Sequence, residues 1–281
     1  MNFPNSFDYN IYRKNIDLTH MTNEQLINHY YLYGKNEGRQ CCLISNRNEL
    51  KKYIPSNINC LEIGPFDCPV LTGSNIKYCD ILSQEELKQR AIEHNRNPHS
   101  VPFIHYNNLN INEQFDVVFS SHLIEHQIDF IEHINSVSNI LKPDGYYVII
   151  IPDKRYCFDH FIKETTIADI INMHINKSLN HSIKSIIEHR TLTCHNNSKE
   201  HWNNNHGQQN ITPDLLLNAI NEYKNNLELN SYIDVHSMQF TPDSFENIIN
   251  LLYSIKMIDM KIDKIYNTQR NSCEFFAILK K

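Results

Sequence analysis

Short apolar runs alternate with helix-like stretches between residues 58 and 152. The apolar runs lie at 60–63, 115–119 and 146–151, and each has strand length. Between them, 83–95 begins with a capping serine and 129–141 ends just before Pro143, so both are predicted to be helices. This alternation is typical of a parallel sheet with helices on both faces.

The pattern changes on both sides of this region. Polar and apolar positions at helical spacing after Thr22 predict a helical N-terminal unit at 1–40, which leaves 41–281 as the main domain. Residues 158–235 interrupt the alternation with amphipathic stretches and are predicted to form a helical cap. A helix from Thr241 and a closing pair of strands, at 257–267 and 273–280, complete the main domain.

Composition, charge and the length of the apolar runs argue against several classes of function. The chain has 281 residues, a net charge of −6 and no dense stripe of lysine and arginine, which argues against nucleic acid as a partner. The apolar runs are too short to span a membrane, and the first residues do not resemble a signal peptide, so we expect a cytoplasmic protein. The eight cysteines form no CxxC pair, and no metal site is predicted from them. The sequence leaves the oligomeric state open.

A glycine elbow follows the first apolar run. Gly64 and Pro65 come directly after the strand, Glu62 precedes them, and Asp80 ends the next strand-like run. Glycine allows the backbone to approach a ligand, and an acid at this spacing can accept hydrogen bonds from two ribose hydroxyls. Phe66 and the cysteine at 68 replace the glycines that a dinucleotide's pyrophosphate requires, so the elbow favours a sulfonium cofactor over a nicotinamide one.

Together with the segments at 115–126, 141–152 and 273–279, this elbow resembles the class I S-adenosylmethionine-dependent methyltransferases. The resemblance implies an α/β, Rossmann-like, seven-stranded and mostly parallel sheet with an antiparallel last strand. It also implies a cap inserted after the fifth strand and S-adenosylmethionine as the cofactor. The cofactor contacts that it implies are Glu62, Gly64, Pro65, Asp80, His105, Ser120, Ser121 and His122.

Two histidines are predicted to lie near the acceptor, because a hydroxyl acceptor needs a base and the pKa of histidine lies near neutrality. These are His122, after the fourth strand of the resemblance, and His160, after the fifth. Glu125 and His126 are interpreted as residues that begin a helix. Alternatively, His122, Glu125 and His126 resemble the Glu-x-x-Glu-His metal site of certain 2′-hydroxyl and catechol methyltransferases.

Other histidines lie between positions 189 and 206, where the spacing matches no zinc template. We interpret this segment as a polar part of the cap. Trp202, within it, is a candidate stacking platform for a sugar ring, and His236 is a further candidate for the pocket.

The acceptor is predicted from the N-terminal unit. Asn-x-Asp-Leu at 15–18, His-Tyr at 29–30 and Gly-x-x-Glu-Gly-Arg at 34–39 resemble a helical unit on many enzymes of surface-polysaccharide synthesis. The resemblance implies a small-molecule, carbohydrate acceptor: a sugar or sugar-nucleotide hydroxyl. Lys154 and Arg155 favour instead a small phosphorylated or amine acceptor. A non-catalytic, cofactor-binding scaffold in glycan assembly is a further alternative, as is a nicotinamide oxidoreductase.

Overall fold

The computed structural model describes residues 1–177, 180–209, 211–229 and 232–281. The strands are β1 (Cys60–Ile63), β2 (Ile76–Cys79), β3 (Phe115–Ser121), β4 (Leu141–Pro152), β5 (Lys261–Tyr266) and β6 (Glu274–Lys280). The helices are α1 (Tyr9–Tyr12), α2 (Asn23–His29), α3 (Arg47–Lys51), α4 (Gln84–Glu93), α5 (Phe130–Ile140), α6 (Ile167–Asn176), α7 (Ile183–Leu192), α8 (Ser198–Trp202), α9 (Pro213–Leu229) and α10 (Pro242–Ser254).

The strands of the described residues form one sheet in the order β2-β1-β3-β4-β6-β5. β1 to β4 run parallel, and β6 is antiparallel to both of its neighbours. The predicted α/β, Rossmann-like and mostly parallel sheet is therefore confirmed. Ser83 and Thr241 also cap α4 and α10 as predicted, each through a capping box.

Successive side chains of the strands point to opposite faces, and each face has its own hydrophobic core. Val118 and Ile149 pack with α5 and α10 on one face. Val117 and Ile150 pack with the N-terminal helices on the other, where Tyr12 and other apolar side chains of residues 1–40 are buried. The N-terminal segment thus covers one face of the sheet, while its division from the main domain at residue 40 stays a prediction.

The expected number of seven strands is wrong, because the described residues form six. The missing strand would lie beside β2, where Tyr106 makes a single parallel bridge to Cys79. The backbone N–H groups of His105 and Tyr106 both donate to the carbonyl oxygen of Tyr78, at 2.9 and 3.3 Å. The N–H of Asp80 donates back to the carbonyl oxygen of Tyr106 at 3.0 Å and completes this bridge, and no further bridge extends it into a ladder among the described residues.

The predicted cap, residues 158–235, contains α6 to α9, and α7 packs against α9 around Ile186 and Ala219. Residues 178, 179, 210, 230 and 231 of this prediction lie outside the described part of the chain. Within the described residues, no helix combines the length and apolar character that crossing a membrane requires.

Candidate active site

A cavity of about 610 Å³ opens at the carboxyl ends of β1, β2 and β3, where parallel sheets bind ligands. Its volume is typical of a site for a small molecule or cofactor. Residues that line it and bear on its chemistry are Ile63, Gly64, Phe66, Asp80, Ile81, Leu82, Arg90, Leu109, His122, Leu123, His126, Asp129, Glu132, Tyr232 and Asp234.

Gly64 forms the elbow between β1 and the loop that follows. Its φ of +69° is a left-handed conformation that suits glycine. A Cβ atom at this position would lie 2.9 Å from Cδ1 of Leu123, which also lines the cavity. The sequence therefore needs glycine here both for the turn and for the close approach of another cavity residue.

Glu62 holds the loop after the elbow. Its carboxylate is buried and accepts hydrogen bonds from the backbone N–H groups of Val70 and Leu71, both at 2.8 Å. Burial raises the pKa of Glu62 to about 7, although these two hydrogen bonds lower it. Because Glu62 is not among the residues that line the cavity, the geometry gives it a role in shaping the loop; the predicted contact with cofactor stays a prediction.

Asp80 directly follows β2 and lines the cavity, and its predicted contact with the ribose stays a prediction. One carboxylate oxygen, Oδ1, accepts a hydrogen bond from the backbone of Leu82 at 3.1 Å. Burial raises the pKa of Asp80, and the backbone hydrogen bonds and Arg90 oppose this shift. Asp129, Glu132 and Asp234 also line the cavity, so the site is rich in carboxylates.

Four other predicted cofactor residues lie outside the cavity lining, and their roles stay predictions. Pro65 is buried beside the elbow, and Ser121 ends β3 in register with β4. The ring of His105 accepts a hydrogen bond from the backbone of Tyr78 at the edge of the sheet. The hydroxyl of Ser120 is buried 2.8 Å from the hydroxyl of Tyr147, so it faces the core rather than the cavity.

His122 does line the cavity, in a left-handed conformation with a φ of +51°. Its Nε2 donates to Oε1 of Glu274 at 2.7 Å, and Arg47 also donates to this carboxylate. Burial raises the pKa of Glu274, but the hydrogen bonds from His122 and Arg47 outweigh it and lower the pKa to about 2. The charge of Glu274 thus fixes the imidazole ring at the end of β3.

Glu125 lies behind the cavity wall and is fully buried. Within the described residues, neither oxygen of its carboxylate has a hydrogen-bond partner. Oε1 lies 3.6 Å from Nδ1 of His122, 4.0 Å from Nε2 of His126 and 3.8 Å from Nε2 of His236. Glu125, His126 and His236 could together hold a metal ion, since their ligand atoms lie within 4.8 Å of one another.

His126 also lines the cavity and lies between two acidic residues. Its Nδ1 lies 2.9 Å from Oδ1 of Asp234, and Asp234 also accepts a hydrogen bond from Arg90. Burial lowers the pKa of His126, but Asp234 and Glu125 outweigh that effect and raise it above its usual value. The interpretation of Glu125 and His126 as residues that only begin a helix therefore misses the position of His126 on the cavity wall.

His160 lies elsewhere, since it does not line the cavity. Its ring stacks on His206 with centroids 3.7 Å apart. The nearby Lys154 donates to the carbonyl oxygen of His160, and Arg155 forms a two-point ion pair with buried Asp153. The two cations that favoured a phosphorylated acceptor are thus occupied within the protein.

Trp202 is not a free platform for a sugar. Its ring stacks on Tyr156 with centroids 3.8 Å apart and an interplanar angle of 8°, and its Nε1 donates to the carbonyl oxygen of Ser272. His236 lies beside Glu125 and donates from Nδ1 to Asp159 at 2.6 Å. Its place ahead of α10 suggested a pocket residue, but no sequence signal pairs it with Glu125.

Comparison with known proteins gives a family. The sequence profile of a family described as "Methyltransferase domain" matches residues 33–197, which is more than half of the chain. No curated protein sequence matches at a significant level.

Among solved structures, the chain is similar to an S-adenosylmethionine-dependent methyltransferase from Clostridium acetobutylicum, with 11% identity, 96% of each chain covered and a TM-score of 0.42. It is also similar to a possible histamine N-methyltransferase from Thermotoga maritima, with 12% identity, 92% and 97% covered and a TM-score of 0.41. A third is the mitomycin 7-O-methyltransferase MmcR, with 10% identity, 97% of this chain and 60% of that chain covered, and a TM-score of 0.41.

Proposed function

We propose that this chain, which belongs to the methyltransferase-domain family, transfers a methyl group from S-adenosylmethionine to a hydroxyl group of a small acceptor. The observation that carries the proposal is the cavity whose lining combines Asp80 with the pair His126 and Asp234. Asp80 is suited to a nucleoside and the pair to a hydroxyl that must lose its proton.

The charge of the cavity fits this cofactor. S-adenosylmethionine supplies a methyl group on a positively charged sulfur and carries an ammonium group. Four carboxylates, those of Asp80, Asp129, Glu132 and Asp234, line the cavity. His174 pairs with Asp129, and Arg90 and His126 pair with Asp234, which leaves Asp80 and Glu132 without an ion pair among the described residues. Such a lining attracts a cationic ligand and repels a pyrophosphate, which argues against a nicotinamide dinucleotide.

The residues that would hold the cofactor contact different parts of it. Asp80 uses one carboxylate oxygen to fix its own loop, which leaves the other for ribose hydroxyls. Ile81, Leu82 and Leu109 provide the apolar wall that an adenine ring needs. Gly64 brings backbone close to the site without a side chain to fill it.

His126 is our candidate for the base. In this assignment the hydroxyl of the acceptor gives its proton to the imidazole, and the oxygen attacks the methyl group in line with the bond that breaks. Asp234 and Glu125 stabilise the imidazolium that results. We assign the base to His126 rather than to His160, which lies outside the cavity lining. His122, which also lines the cavity and is paired with Glu274 through Nε2, is the alternative base.

A sugar or sugar-nucleotide hydroxyl is the first acceptor class to test. It is supported by the resemblance of the N-terminal segment to units on enzymes of polysaccharide synthesis. An amine is the second class, and the carboxylate-rich wall favours it, because an amine acceptor arrives as a cation. A phosphorylated acceptor loses its support, since Lys154 and Arg155 are occupied.

The first experiment is calorimetric titration with S-adenosylhomocysteine and, separately, with NAD. We expect micromolar affinity for S-adenosylhomocysteine and no binding of NAD. In Asp80→Asn the affinity for S-adenosylhomocysteine should fall at least about tenfold, which corresponds to about 1.4 kcal/mol of binding free energy. Asp116→Asn is the control, because Asp116 lies at the opposite end of β3 and pairs with Lys142. Absence of S-adenosylhomocysteine binding by the folded wild-type protein would contradict the proposal. The scaffold alternative also binds the cofactor and is separated from the enzyme by turnover.

Turnover then separates the acceptors. Wild type and His126→Gln are incubated with the cofactor and panels of sugars, sugar nucleotides and amines, and products are read by mass. With wild type, we expect an acceptor to gain the mass of one methyl group on a hydroxyl. With His126→Gln, we expect this product to be lost. If a chelator abolishes turnover and a divalent ion restores it, the ion is best placed at Glu125, His126 and His236, and metal assistance replaces the base.

A further inference from the structure

Three histidine rings meet outside the cavity lining. His160 follows β4, His201 lies on α8, and His206 follows in the next loop. One ring nitrogen of each lies within 4.8 Å of those of the other two. His201 is buried, with 1% of its surface exposed. The proposed methyl transfer gives this cluster no task, so its chemistry has to be explained separately.

The protons of two rings are fixed by backbone carbonyl groups. Nδ1 of His160 donates to the carbonyl oxygen of Arg155 at 2.9 Å, and Nε2 of His201 donates to that of His195 at 3.0 Å. A carbonyl oxygen only accepts, so each of these nitrogens carries a proton. The other nitrogen of each neutral ring, Nε2 of His160 and Nδ1 of His201, therefore keeps a lone pair. Metal-binding histidines are oriented by the same kind of contact.

The third ring approaches one of these lone pairs. Nδ1 of His206 lies 3.0 Å from Nδ1 of His201. Either one proton is shared between the two nitrogens or both nitrogens face a cation. Two nitrogens bound to one tetrahedral zinc ion, at about 2.0–2.1 Å each, lie about 3.3 Å apart, which is close to the separation found here.

A fourth histidine nearby is fully used by the protein and takes no part. Nδ1 of His195 accepts a hydrogen bond from the backbone of Asn197, and its Nε2 donates to the carbonyl oxygen of Asn205. His195 thus supports the loop, and its own carbonyl oxygen orients His201.

We propose that His160, His201 and His206 bind one zinc ion, which links the loop after β4 to the cap. Three imidazole nitrogens form a donor set that zinc prefers, with a fourth position open to water. The ligands come from two distant segments, so the ion stabilises the packing of α8 and its following loop on the end of β4.

Binding requires one movement. The rings of His160 and His206 are stacked within 8° of parallel, whereas a metal ion lies close to the plane of each imidazole that binds it. The His206 ring therefore has to turn out of the stack. Its loop contains Asn204 and Gly207, both with positive φ, and the ring is partly exposed, so the turn does not disturb the core.

The test measures zinc by equilibrium dialysis and melting temperature on the full chain. Wild type is compared with His206→Ala, His160→Gln, His236→Gln and the control His94→Ala, which removes an exposed histidine of α4's C-terminal end. We expect His206→Ala and His160→Gln each to weaken zinc binding at least about tenfold, and His94→Ala to leave it unchanged. Zinc at about 100 times its dissociation constant should raise the melting temperature of wild type by about 5 °C.

His236→Gln separates this site from the cluster beside the cavity. If zinc binding falls in His236→Gln but not in His206→Ala, the ion belongs to Glu125, His126 and His236, and the proposal is wrong. The proposal is also wrong if the folded wild-type protein binds no zinc, because the three rings are then a hydrogen-bonded stack. Circular dichroism of each variant shows that it is folded. Binding of S-adenosylhomocysteine reports on the proposed function independently.

Discussion

The effect of replacing Gly64 on the free energy of unfolding can be worked out from the geometry of the elbow. In Gly64→Ala, an alanine with a φ of +69° costs about 1–2 kcal/mol, because the left-handed conformation is unfavourable for residues with a Cβ. The new Cβ would also lie 2.9 Å from Cδ1 of Leu123, and crowding of this kind costs about 1–3 kcal/mol. The free energy of unfolding should therefore fall by about 2–5 kcal/mol.

Two assays follow the consequences of Gly64→Ala. Thermal unfolding should show a melting temperature lowered by about 4–10 °C. Since Leu123 lines the cavity, moving its side chain should also weaken binding of S-adenosylhomocysteine about tenfold in calorimetry. The double variant with Leu123→Ala should keep the backbone cost but remove the crowding term, so the two substitutions should not be additive.

Gly73→Ala is the matched control. Gly73 also has a positive φ, of +149°, but a Cβ there would meet only Ile76, at 3.8 Å, and Gly73 does not line the cavity. Its substitution should lower stability and leave ligand affinity unchanged. Wild-type affinity and melting temperature in Gly64→Ala would refute the reasoning from the elbow.

Three further predictions concern polar side chains. Because the pKa of Glu62 is raised to about 7, its contribution to stability is present below about pH 4.5 and is lost as pH rises through 7; urea unfolding of Glu62→Gln should show a flatter pH profile. Asp234 raises the pKa of His126, so Asp234→Asn should shift the rising limb of kcat to lower pH, and an unchanged limb would exclude His126 as the base. Tyr147→Phe removes the hydroxyl between a serine and a histidine and should cost about 1–3 kcal/mol in urea unfolding, whereas Tyr146→Phe should change stability by less than about 0.5 kcal/mol.

Local sequence signals predicted much of the fold. Ser83 and Thr241 specify helix starts through contacts within one turn, and Pro143 lies just past the end of α5. The alternation of apolar runs with helix-like stretches predicted a parallel sheet. The seventh strand that the resemblance implied did not form beside β2, because pairing there depends on where the backbone of residues 105–106 meets Tyr78, which no local pattern encodes.

Residues of the site could be predicted only where they lie at the ends of predicted strands. Gly64 and Asp80 lie at strand ends, so their place in the cavity followed from the strand pattern. Glu125 and His236 are distant in sequence, and the contact between them depends on the path of the cap. The same holds for His160 and His206. The spacing of the histidines at 189–206 matched no zinc template, and the fold brings His206 against His160 from another segment.

The place of β6 in the sheet has a consequence for synthesis of the chain. β6 follows β5 in sequence but lies between β4 and β5, and within the described residues it provides the ladder partner that joins β5 to the sheet. Until residues 274–280 leave the ribosome, β5 has no neighbour and the edge of β4 stays open. Apolar side chains of β6 also belong to both cores, including the one that contains Phe3. We therefore expect nascent chains to remain dependent on chaperones until β6 has left the ribosome, and to acquire protease resistance in one step at that point.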